Sequence, residues 1–223
     1  MQNYLEVQYS EAAKPYTAYP AALCRYLAKR FSVPEKSAVL DVGCGRGEFL
    51  QGFKQLGLAA YGLDMHRFGG PLLDQFEIRT ANVEHERFPY DDETFDFVFS
   101  KSVIEHLHNP ENFFKECRRI LRPGGRIIVM TPDWQSHRYV FYNDHTHVQP
   151  YTVTGLGNAL KLYGFGDIHT EFFYQLPVVW RFPFLKVLLK PLRVALPIKK
   201  SGGNSFWRWS RELMILGTGV KQA

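Results

Sequence analysis

The sequence VLDVGCGRG occupies residues 39–47 and joins a short apolar run to a loop that is rich in glycine. The run stops at Gly43, which is typical of a buried strand that ends in a turn. Residues 47–53 follow with the pattern of a helix. A loop between a strand and a helix lies at the carboxyl ends of a parallel sheet, where ligands bind in such folds. This stretch therefore predicts a parallel sheet with a ligand site.

Apolar runs alternate with helical segments along residues 38–131, which predicts an α/β fold. We expect a Rossmann-like, doubly wound sheet with helices on both faces. The predicted strands are residues 37–42, 58–63, 76–79, 95–100, 126–130, 165–173 and 213–220. The predicted helices are residues 47–53, 112–121 and 152–163, with another inside residues 11–32, where Pro15 and Pro20 break up the beginning.

Acidic residues around the glycine loop argue against a dinucleotide ligand. The dinucleotide fingerprint G-x-G-x-x-G requires glycine at position 48. This chain has Glu48 there, and Asp41 precedes the glycines. A pyrophosphate favours free N–H groups without a neighbouring carboxylate. Asp41 suits instead the ammonium group of S-adenosylmethionine, which carries no phosphate. The alternative is a glycine-rich turn in which Asp41 only caps the helix.

A further acid, Asp64, ends the second predicted strand. An acid about 20 residues beyond such a loop is placed to accept hydrogen bonds from ribose hydroxyls. Met65 follows it and is placed to lie on an adenine face. The alternative for Asp64 is a solvated carboxylate at a strand end. Together, the loop and Asp64 predict a site for S-adenosylmethionine.

Five motifs occur in order: VLDVGCGRG at residues 39–47, GLD at 62–64, FPYDDETFD at 88–96, SVIEHL at 102–107 and LRPGG at 121–125. With these motifs the chain resembles the class I S-adenosylmethionine-dependent methyltransferases, specifically the methyltransferase type 11 group. The resemblance is strong over residues 35–131 and weaker over 140–175. It implies one methyltransferase domain over residues 1–223, with a sheet of seven strands whose last strand, residues 213–220, is antiparallel.

The resemblance also implies the cofactor, S-adenosylmethionine, and the residues that bind it. The methionine part would contact the glycine loop, the ribose Asp64, and the sulfonium side the end of the fourth strand. Asn82 departs from the acid that family members often have at this place, but its side-chain oxygen can still accept a hydrogen bond. The implied cofactor-binding residues are Asp41, Gly43, Cys44, Gly45, Asp64, Met65, Asn82, Val83, Ser100 and Lys101.

Three histidines are the catalytic candidates. Methyl transfer is an in-line displacement in which the protein mainly orients the acceptor, and a base is needed only if the acceptor must lose a proton. His106 follows the fourth strand, and His145 and His147 follow the fifth. Alternatively, His106 only packs near the cofactor and the other two only order their loop. A metal site at Asp144, His145 and His147 is an alternative, but histidines two positions apart are common in loops, so no metal is predicted.

Residues 1–34 are expected to form a helical lid over the cofactor. This region contains four tyrosines, and a lid excludes water from the reaction. The alternative is that these side chains only pack the first helix. The tyrosines are Tyr4, Tyr9, Tyr16 and Tyr19.

Residues 177–211 form an apolar, basic insertion before the last strand. No Asp or Glu occurs from Phe172 to Ser210. This composition suits an amphipathic helix at a membrane surface, through residues 177–200. The alternatives are a helix packed on its own domain, a subdomain that covers the substrate, or a dimer face. Pro191 is expected to kink or split any helix here.

Composition also bears on the location of the chain and on its partners. The chain has 223 residues, a net charge of +5 and three widely spaced cysteines, which form no disulfide or zinc pattern. A signal peptide and a transmembrane helix are not expected, so we place the chain in the cytoplasm, with peripheral membrane contact left open. No nucleic-acid partner is expected, because no known binding motif accompanies the charge.

We expect methyl transfer to oxygen or nitrogen of a small-molecule, glycan-linked or lipid-linked acceptor. One alternative is a partner protein that keeps the cofactor fold without catalysis. Another is an NAD-dependent dehydrogenase, against which Glu48 and Asp41 argue. The sequence leaves the acceptor and the oligomeric state open.

Overall fold

A sheet of seven strands forms the centre of the computed structural model, which describes residues 15–66, 72–195 and 212–222. The strands are β1 (Ala38–Val42), β2 (Ala59–Asp64), β3 (Glu77–Thr80), β4 (Phe95–Lys101), β5 (Leu121–Pro132), β6 (Phe165–Tyr174) and β7 (Leu213–Lys221). Their order across the sheet is β3-β2-β1-β4-β5-β7-β6. The prediction of a Rossmann-like α/β fold is therefore confirmed.

The direction of the strands defines where a ligand can bind. Neighbours from β3 to β5 pair in parallel, whereas β7 pairs antiparallel with both β5 and β6. The predicted antiparallel last strand is thus confirmed. From β1 the chain builds outward to β3, and then it returns to the other side of β1 with β4. At such a reversal, a crevice opens beyond the carboxyl ends of the strands.

Seven α-helices are present in the described parts of the chain. They are α1 (Tyr19–Arg30), α2 (Glu48–Lys54), α3 (Glu111–Ile120), α4 (Trp134–His137), α5 (Val153–Leu162), α6 (Pro177–Arg181) and α7 (Leu185–Ala195). In α3 the apolar residues recur at helical spacing, so Phe113, Phe114 and Cys117 share one buried face while Lys115 is exposed. The other helices of ten or more residues likewise turn an apolar face inward.

Each face of the sheet carries its own hydrophobic core. Side chains alternate between the two faces of a strand, so Val39 and Phe99 enter one core while Leu40 and Val98 enter the other. The first core includes residues of α1, and the second includes residues of α3 and α5. Because both faces of the central strands are buried, their sequences are almost continuously apolar.

Several boundaries differ from the prediction. The segment 102–107 forms only one turn of 3-10 helix, Ile104–His106. Strand β5 begins at Leu121, five residues before the predicted start, because Leu121 already pairs with Phe95 before the turn. Helix α1 begins at Tyr19 with Pro20 in its first turn, where a missing N–H costs no helical hydrogen bond.

Helices α6 and α7 form the described part of the insertion, whose residues 196–211 lie outside the described ranges. Helix α7 continues through Pro191, so the predicted split of the helix at this proline does not occur. The Trp180 ring of α6 packs against Tyr26, with ring centroids 5.0 Å apart, and Leu185 and Leu189 of α7 pack on a small apolar cluster at the start of β7. Within the described ranges, no helix combines the length and the apolar character needed to cross a membrane.

Candidate functional site

Glycines shape the loop between β1 and α2. Gly43, Gly45 and Gly47 have φ values of +80°, +48° and +77°, a region that favours glycine. A Cβ on Gly43 would lie 2.2 Å from Cγ2 of Val103, so this position also needs glycine for space. A Cβ on Gly45 would meet no atom of the described residues within 4 Å. The backbone at Gly45 therefore borders open space that a ligand can approach.

Asp64 connects the end of β2 to the glycine loop. Its Oδ2 accepts a hydrogen bond from the N–H of Gly45 at 2.8 Å, and its Oδ1 accepts one from the N–H of His66 at 3.1 Å. Burial raises the pKa of this carboxyl, and the backbone N–H groups of Gly45, His66 and Met65 oppose the shift. Because each carboxylate oxygen can accept two hydrogen bonds, Asp64 can still receive hydroxyl groups from a ligand.

Asp41 is the most unusual group in the crevice. Its side chain is in β1, the residue is 2% exposed, and no described residue donates a hydrogen bond to its Oδ2. Burial and the negative charge of Asp64 raise the pKa of Asp41 to about 8, and the nearby Lys101 opposes the shift. Buried polar atoms without partners are rare in folded proteins. The missing donor is what a ligand ammonium group would supply.

The remaining residues predicted at the end of β2 and β4 have different surroundings. Met65 is 52% exposed, so its side chain is accessible beside Asp64. Ser100 is 1% exposed, and its hydroxyl donates to the carbonyl of Val42 at 2.9 Å, which joins β4 to β1 beneath the loop. Cys44 is buried in the loop itself. Ser100 thus supports the crevice from within the sheet.

The loop after β3 is held by its own polar groups. The side-chain oxygen of Asn82 accepts from the N–H of Glu84 at 2.9 Å, while the N–H of Asn82 donates to Glu86 at 2.6 Å. The carbonyl of Val83 accepts from Asn112 at 3.0 Å. These contacts fix the position of Asn82 and Val83, and the second lone pair on the Asn82 oxygen remains able to accept from a ligand.

His106 and His147 come together at the same edge of the sheet. Their ring centroids are 4.8 Å apart. Nδ1 of His147 lies 2.8 Å from the carbonyl of Phe141, and Nδ1 of His106 lies 3.2 Å from the carbonyl of Thr146. A carbonyl can only accept, so in the neutral form of each ring the proton lies on Nδ1 and Nε2 is the acceptor atom. Burial and the proximity of His147 lower the pKa of His106, which favours its neutral form.

Glu105 is the site residue that the sequence reasoning missed. It is 1% exposed, and its Oε2 accepts from the hydroxyl of Thr131 at 2.9 Å. Burial raises the pKa of Glu105 to about 7. The one signal in the sequence was an acid inside the apolar motif SVIEHL, directly before His106. An acid at a buried position of this kind needs a specific reason.

The structure also separates the loop histidines. His147 shares its surroundings with Glu105 and His106, whereas His145 is exposed. Within the described ranges, the three residues whose ligand atoms converge are Glu105, His106 and His147, which differ from the set of Asp144, His145 and His147 that the sequence did not favour.

Two tyrosines of the N-terminal region have opposite surroundings. The Tyr16 ring lies 4.5 Å from the guanidinium carbon of Arg46, a residue of the glycine loop. Tyr19 instead packs against Trp180, with ring centroids 5.9 Å apart. Tyr4 and Tyr9 lie outside the described residues. Tyr16 therefore lies against the glycine loop, whereas Tyr19 packs α1 against α6, and the lid stays a prediction.

Comparison with known proteins shows the family of the chain. A family model described as a methyltransferase domain matches residues 16–170. The chain belongs to this methyltransferase family. The predicted membership of the class I S-adenosylmethionine-dependent methyltransferases is thereby confirmed. The match includes all the strands from β1 to β5 and the loops that form the crevice.

Three known proteins resemble this chain over different lengths. Mitochondrial ubiquinone biosynthesis O-methyltransferase of Rattus norvegicus is 32% identical over 46% of this chain and 32% of its own length. An uncharacterised protein of Methanocaldococcus jannaschii is 26% identical over 85% of this chain and 81% of its own. Phosphoethanolamine N-methyltransferase 2 of Haemonchus contortus, solved with S-adenosyl-L-methionine, has a TM-score of 0.64 at 18% identity, covering 99% of this chain and 59% of its own.

The matches to the curated relatives cover only part of those proteins. The chain spans 28% to 51% of the length of the first three curated relatives it matches. The solved structure shares the fold, and at 18% identity the likeness concerns the fold alone. The methyltransferase family and its Rossmann-like architecture are therefore established for this chain.

Proposed function

We propose that this chain transfers a methyl group from S-adenosylmethionine, which it binds in the crevice between β1 and β4. The observation that carries the proposal is the buried Oδ2 of Asp41, to which no described residue donates a hydrogen bond. It lies at the same sheet edge as Gly45, whose backbone is approachable, and as Asp64. These three groups match the ammonium, the main body and the ribose of this cofactor. When bound, the cofactor supplies a methyl carbon activated by its sulfonium.

The same geometry argues against a dinucleotide. Glu48 opens helix α2 at the place where a pyrophosphate would meet the helix N-terminus. Its carboxylate is paired with Arg46 at 2.9 Å, so the positive charge of the loop is already neutralised. Asp41 lies in the preceding strand, and in its ionised form it would also repel a phosphate. A nicotinamide dinucleotide would therefore meet carboxyl groups where its pyrophosphate needs N–H donors.

Calorimetric titration with S-adenosylmethionine and with its demethylated product tests the cofactor. We expect micromolar affinity for the wild type and a large loss of affinity in Asp64→Ala, since the ribose hydroxyls lose their acceptor. Asp91→Ala, at an exposed position of the β3–β4 connection, is the matched control and should bind normally. Binding of neither molecule by the wild type would refute the proposal, as would an Asp64→Ala variant that binds with unchanged affinity.

We propose oxygen as the methylated atom. His106 and His147 lie beside Glu105 at the edge where an acceptor would meet the crevice, and the Nδ1 of each ring is engaged by a backbone carbonyl. An alcohol or phenol must lose a proton, so a polar, basic cluster serves it, whereas an unprotonated amine needs none. A named relative from Rattus norvegicus is an O-methyltransferase. His145, being exposed, has the smaller part in this scheme.

The acceptor proposal is tested by measuring the demethylated cofactor with matched hydroxyl and amine compounds. We expect turnover with a hydroxyl acceptor, and a large loss of turnover with unchanged cofactor affinity in His147→Ala. His145→Ala should lose less activity. Turnover with the amine series only would contradict the choice of oxygen, and absence of turnover with every acceptor class would favour the non-catalytic alternative.

We further propose that residues 1–34 form a lid, supported by the contact of Tyr16 with Arg46 of the glycine loop. Such a cover would hold the loop against the cofactor and exclude water. Tyr16→Ala should then weaken cofactor binding without lowering the thermal stability of the domain, because Tyr16 is 49% exposed. Unchanged affinity for the cofactor in this variant would contradict the role of Tyr16 in a lid.

We also propose that the acceptor is lipid-linked and that α6 and α7 contact an anionic membrane surface. The outward side chains here are unusually apolar: Phe184, Val187 and Leu188 are 65%, 69% and 64% exposed. Arg181 and Lys186 accompany them, and the surrounding sequence has no acid. Apolar side chains flanked by cations match the interface of an anionic bilayer.

Cosedimentation with phosphatidylglycerol vesicles tests this surface. Phe184→Ser with Leu188→Ser should release the protein into the supernatant. Leu162→Ser is a matched control, because Leu162 is 76% exposed at the end of α5, beside the amino end of β6. Equal binding to neutral phosphatidylcholine vesicles, or no effect of the double substitution, would contradict the proposal.

A further inference from the structure

Three side chains with metal-binding atoms converge at the carboxyl edge of the sheet. Glu105 and His106 belong to the turn after β4, and His147 belongs to the loop after β5. One ligand atom from each side chain lies within 4.8 Å of the other two. Two imidazoles and one carboxylate are a donor set suited to divalent transition metals.

Both histidines are oriented as metal ligands usually are. Their Nδ1 atoms are engaged by the backbone, His147 by Phe141 and His106 by Thr146, which leaves Nε2 unprotonated. A second contact strengthens the orientation of His106, since its Nδ1 lies 2.8 Å from the hydroxyl of Thr146. That hydroxyl in turn donates to Asp144 at 2.6 Å. Outer hydrogen bonds of this kind fix the tautomer and direction of a ligating imidazole.

Glu105 provides an independent indication of a missing ligand. The residue is 1% exposed, and while Thr131 serves its Oε2, no described residue donates a hydrogen bond to its Oε1. A buried carboxylate oxygen without a partner is strongly unfavourable. A cation bound between Oε1 and the two imidazoles would remove that penalty. If the two histidines only packed against each other, a buried carboxylate at Glu105 would have no purpose.

The two segments that supply the ligands are also joined through their backbones. The carbonyl of Glu105 accepts hydrogen bonds from the N–H groups of Val148 at 2.9 Å and Gln149 at 3.0 Å. These bonds hold the loop of His147 directly against the turn of Glu105. The site therefore exists before any ligand arrives, and such preorganisation favours binding.

We propose that Glu105, His106 and His147 bind one divalent transition-metal ion through the carboxylate and the two Nε2 atoms. Three protein ligands leave further coordination positions open, as in catalytic metal sites.

The role of the ion, unlike its binding, rests on the proposed function. An acceptor hydroxyl that takes an open position has a lowered pKa. Its O–H bond then breaks, the proton passes to water, and the oxygen keeps the electron pair as a nucleophile. The ion is neither oxidised nor reduced. In this scheme the two histidines act as ligands, and His147 is not itself the base.

Titration of the untagged full-length protein with Co²⁺ after chelator treatment tests the site, because bound Co²⁺ gives visible absorption bands. We expect one ion per chain in the wild type. Affinity should fall at least about tenfold in Glu105→Gln, His106→Ala and His147→Ala. It should be unchanged in His108→Ala and His145→Ala, two exposed histidines from the same two segments.

Titration with S-adenosylmethionine in parallel separates the two proposals. A Glu105→Gln variant that binds the cofactor normally but has lost Co²⁺ supports the site and excludes misfolding. Lack of stoichiometric Co²⁺ binding by the wild type overturns the site, and so does a His145→Ala variant as impaired as His147→Ala. Co²⁺ binding without cofactor binding would instead overturn the proposed function and leave the metal site standing.

Discussion

Asp41 is a buried acid in β1, a strand inside the sheet whose other residues are all apolar. Burial and Asp64 raise its pKa to about 8, so the folded protein without a ligand keeps a proton on it up to that pH. An unfolded chain releases this proton near the ordinary pKa of aspartic acid, about 3.9. Departures from the rules of stable folding are expected at functional sites.

Asp41→Asn should therefore change stability in a pH-dependent way. Between about pH 4 and pH 8 the folded state binds a proton that the unfolded state has lost, so the contribution of Asp41 to the free energy of unfolding falls as pH rises. The asparagine variant lacks this fall. We expect it to match the wild type near pH 4 and to unfold several degrees higher near pH 8, with weaker cofactor binding. Thermal unfolding at both pH values checks this, and a difference that is independent of pH would contradict it.

Gly43 and Gly45 should respond differently to alanine. Both have positive φ, which costs about 1–2 kcal/mol for an alanine. Gly43→Ala adds a clash with Val103, whereas Gly45→Ala adds a methyl group only to the open side of the loop. We expect Gly43→Ala to be the less stable variant, with partial recovery in combination with Val103→Ala. Gly45→Ala should mainly weaken cofactor binding, as unfolding curves and calorimetry would show.

Among the elements, α3 is the clearest case of sequence determining packing. Its apolar face is buried against the sheet, and Phe114 is fully buried with its ring stacked at 5.0 Å on Tyr163. The other face carries Lys115, which is paired with Glu111. This division could be predicted because an amphipathic helix needs only local spacing.

Phe114→Ala should lower the free energy of unfolding by about 3–5 kcal/mol, because a large buried ring is replaced by a cavity. Lys115→Ala, at the neighbouring exposed position, should leave the urea midpoint unchanged. A Phe114→Ala loss as small as that of Lys115→Ala would mean that α3 is not part of the core that the structure shows.

Elements that depend on distant partners were predicted less well. The start of β5 at Leu121 results from pairing with Phe95, and the single turn at Ile104–His106 is held by the loop around Val148. Local periodicity contains no information about either contact. The strands β1, β2 and β4 were placed within a residue or two, because burial on both faces leaves a continuous apolar run.

At the scale of the whole molecule, the positive charge is concentrated in one region of a chain whose net charge is only +5. If α6 and α7 meet an anionic bilayer, binding should weaken when salt screens the surface potential. We expect several-fold less vesicle binding at about 500 mM than at about 50 mM NaCl, with a residual part due to the apolar side chains. Binding that does not respond to salt would assign the contact to the apolar side chains alone.

Some residues of the candidate site could be predicted from the sequence, and others could not. The glycine loop and Asp64 were predictable because both follow strands at known spacing. Glu105 was not, since its importance arises from Thr131, 26 residues away, and from His147, in another loop. The choice between His145 and His147 likewise depends on which side chain turns inward, and two loop residues of the same type give no local sign of that.

The last two strands have a consequence for how such a protein can diversify. The pair Tyr174 and Leu213 closes the antiparallel ladder, and the carbonyl of Leu213 accepts from the N–H of Asp133 just after β5. The intervening segment thus starts and finishes at one place on the rim. Insertions or deletions within this segment would leave the strand pairing at Tyr174 and Leu213 in place. The length of the segment can change in this way while the half of the sheet from β1 to β4 stays unchanged.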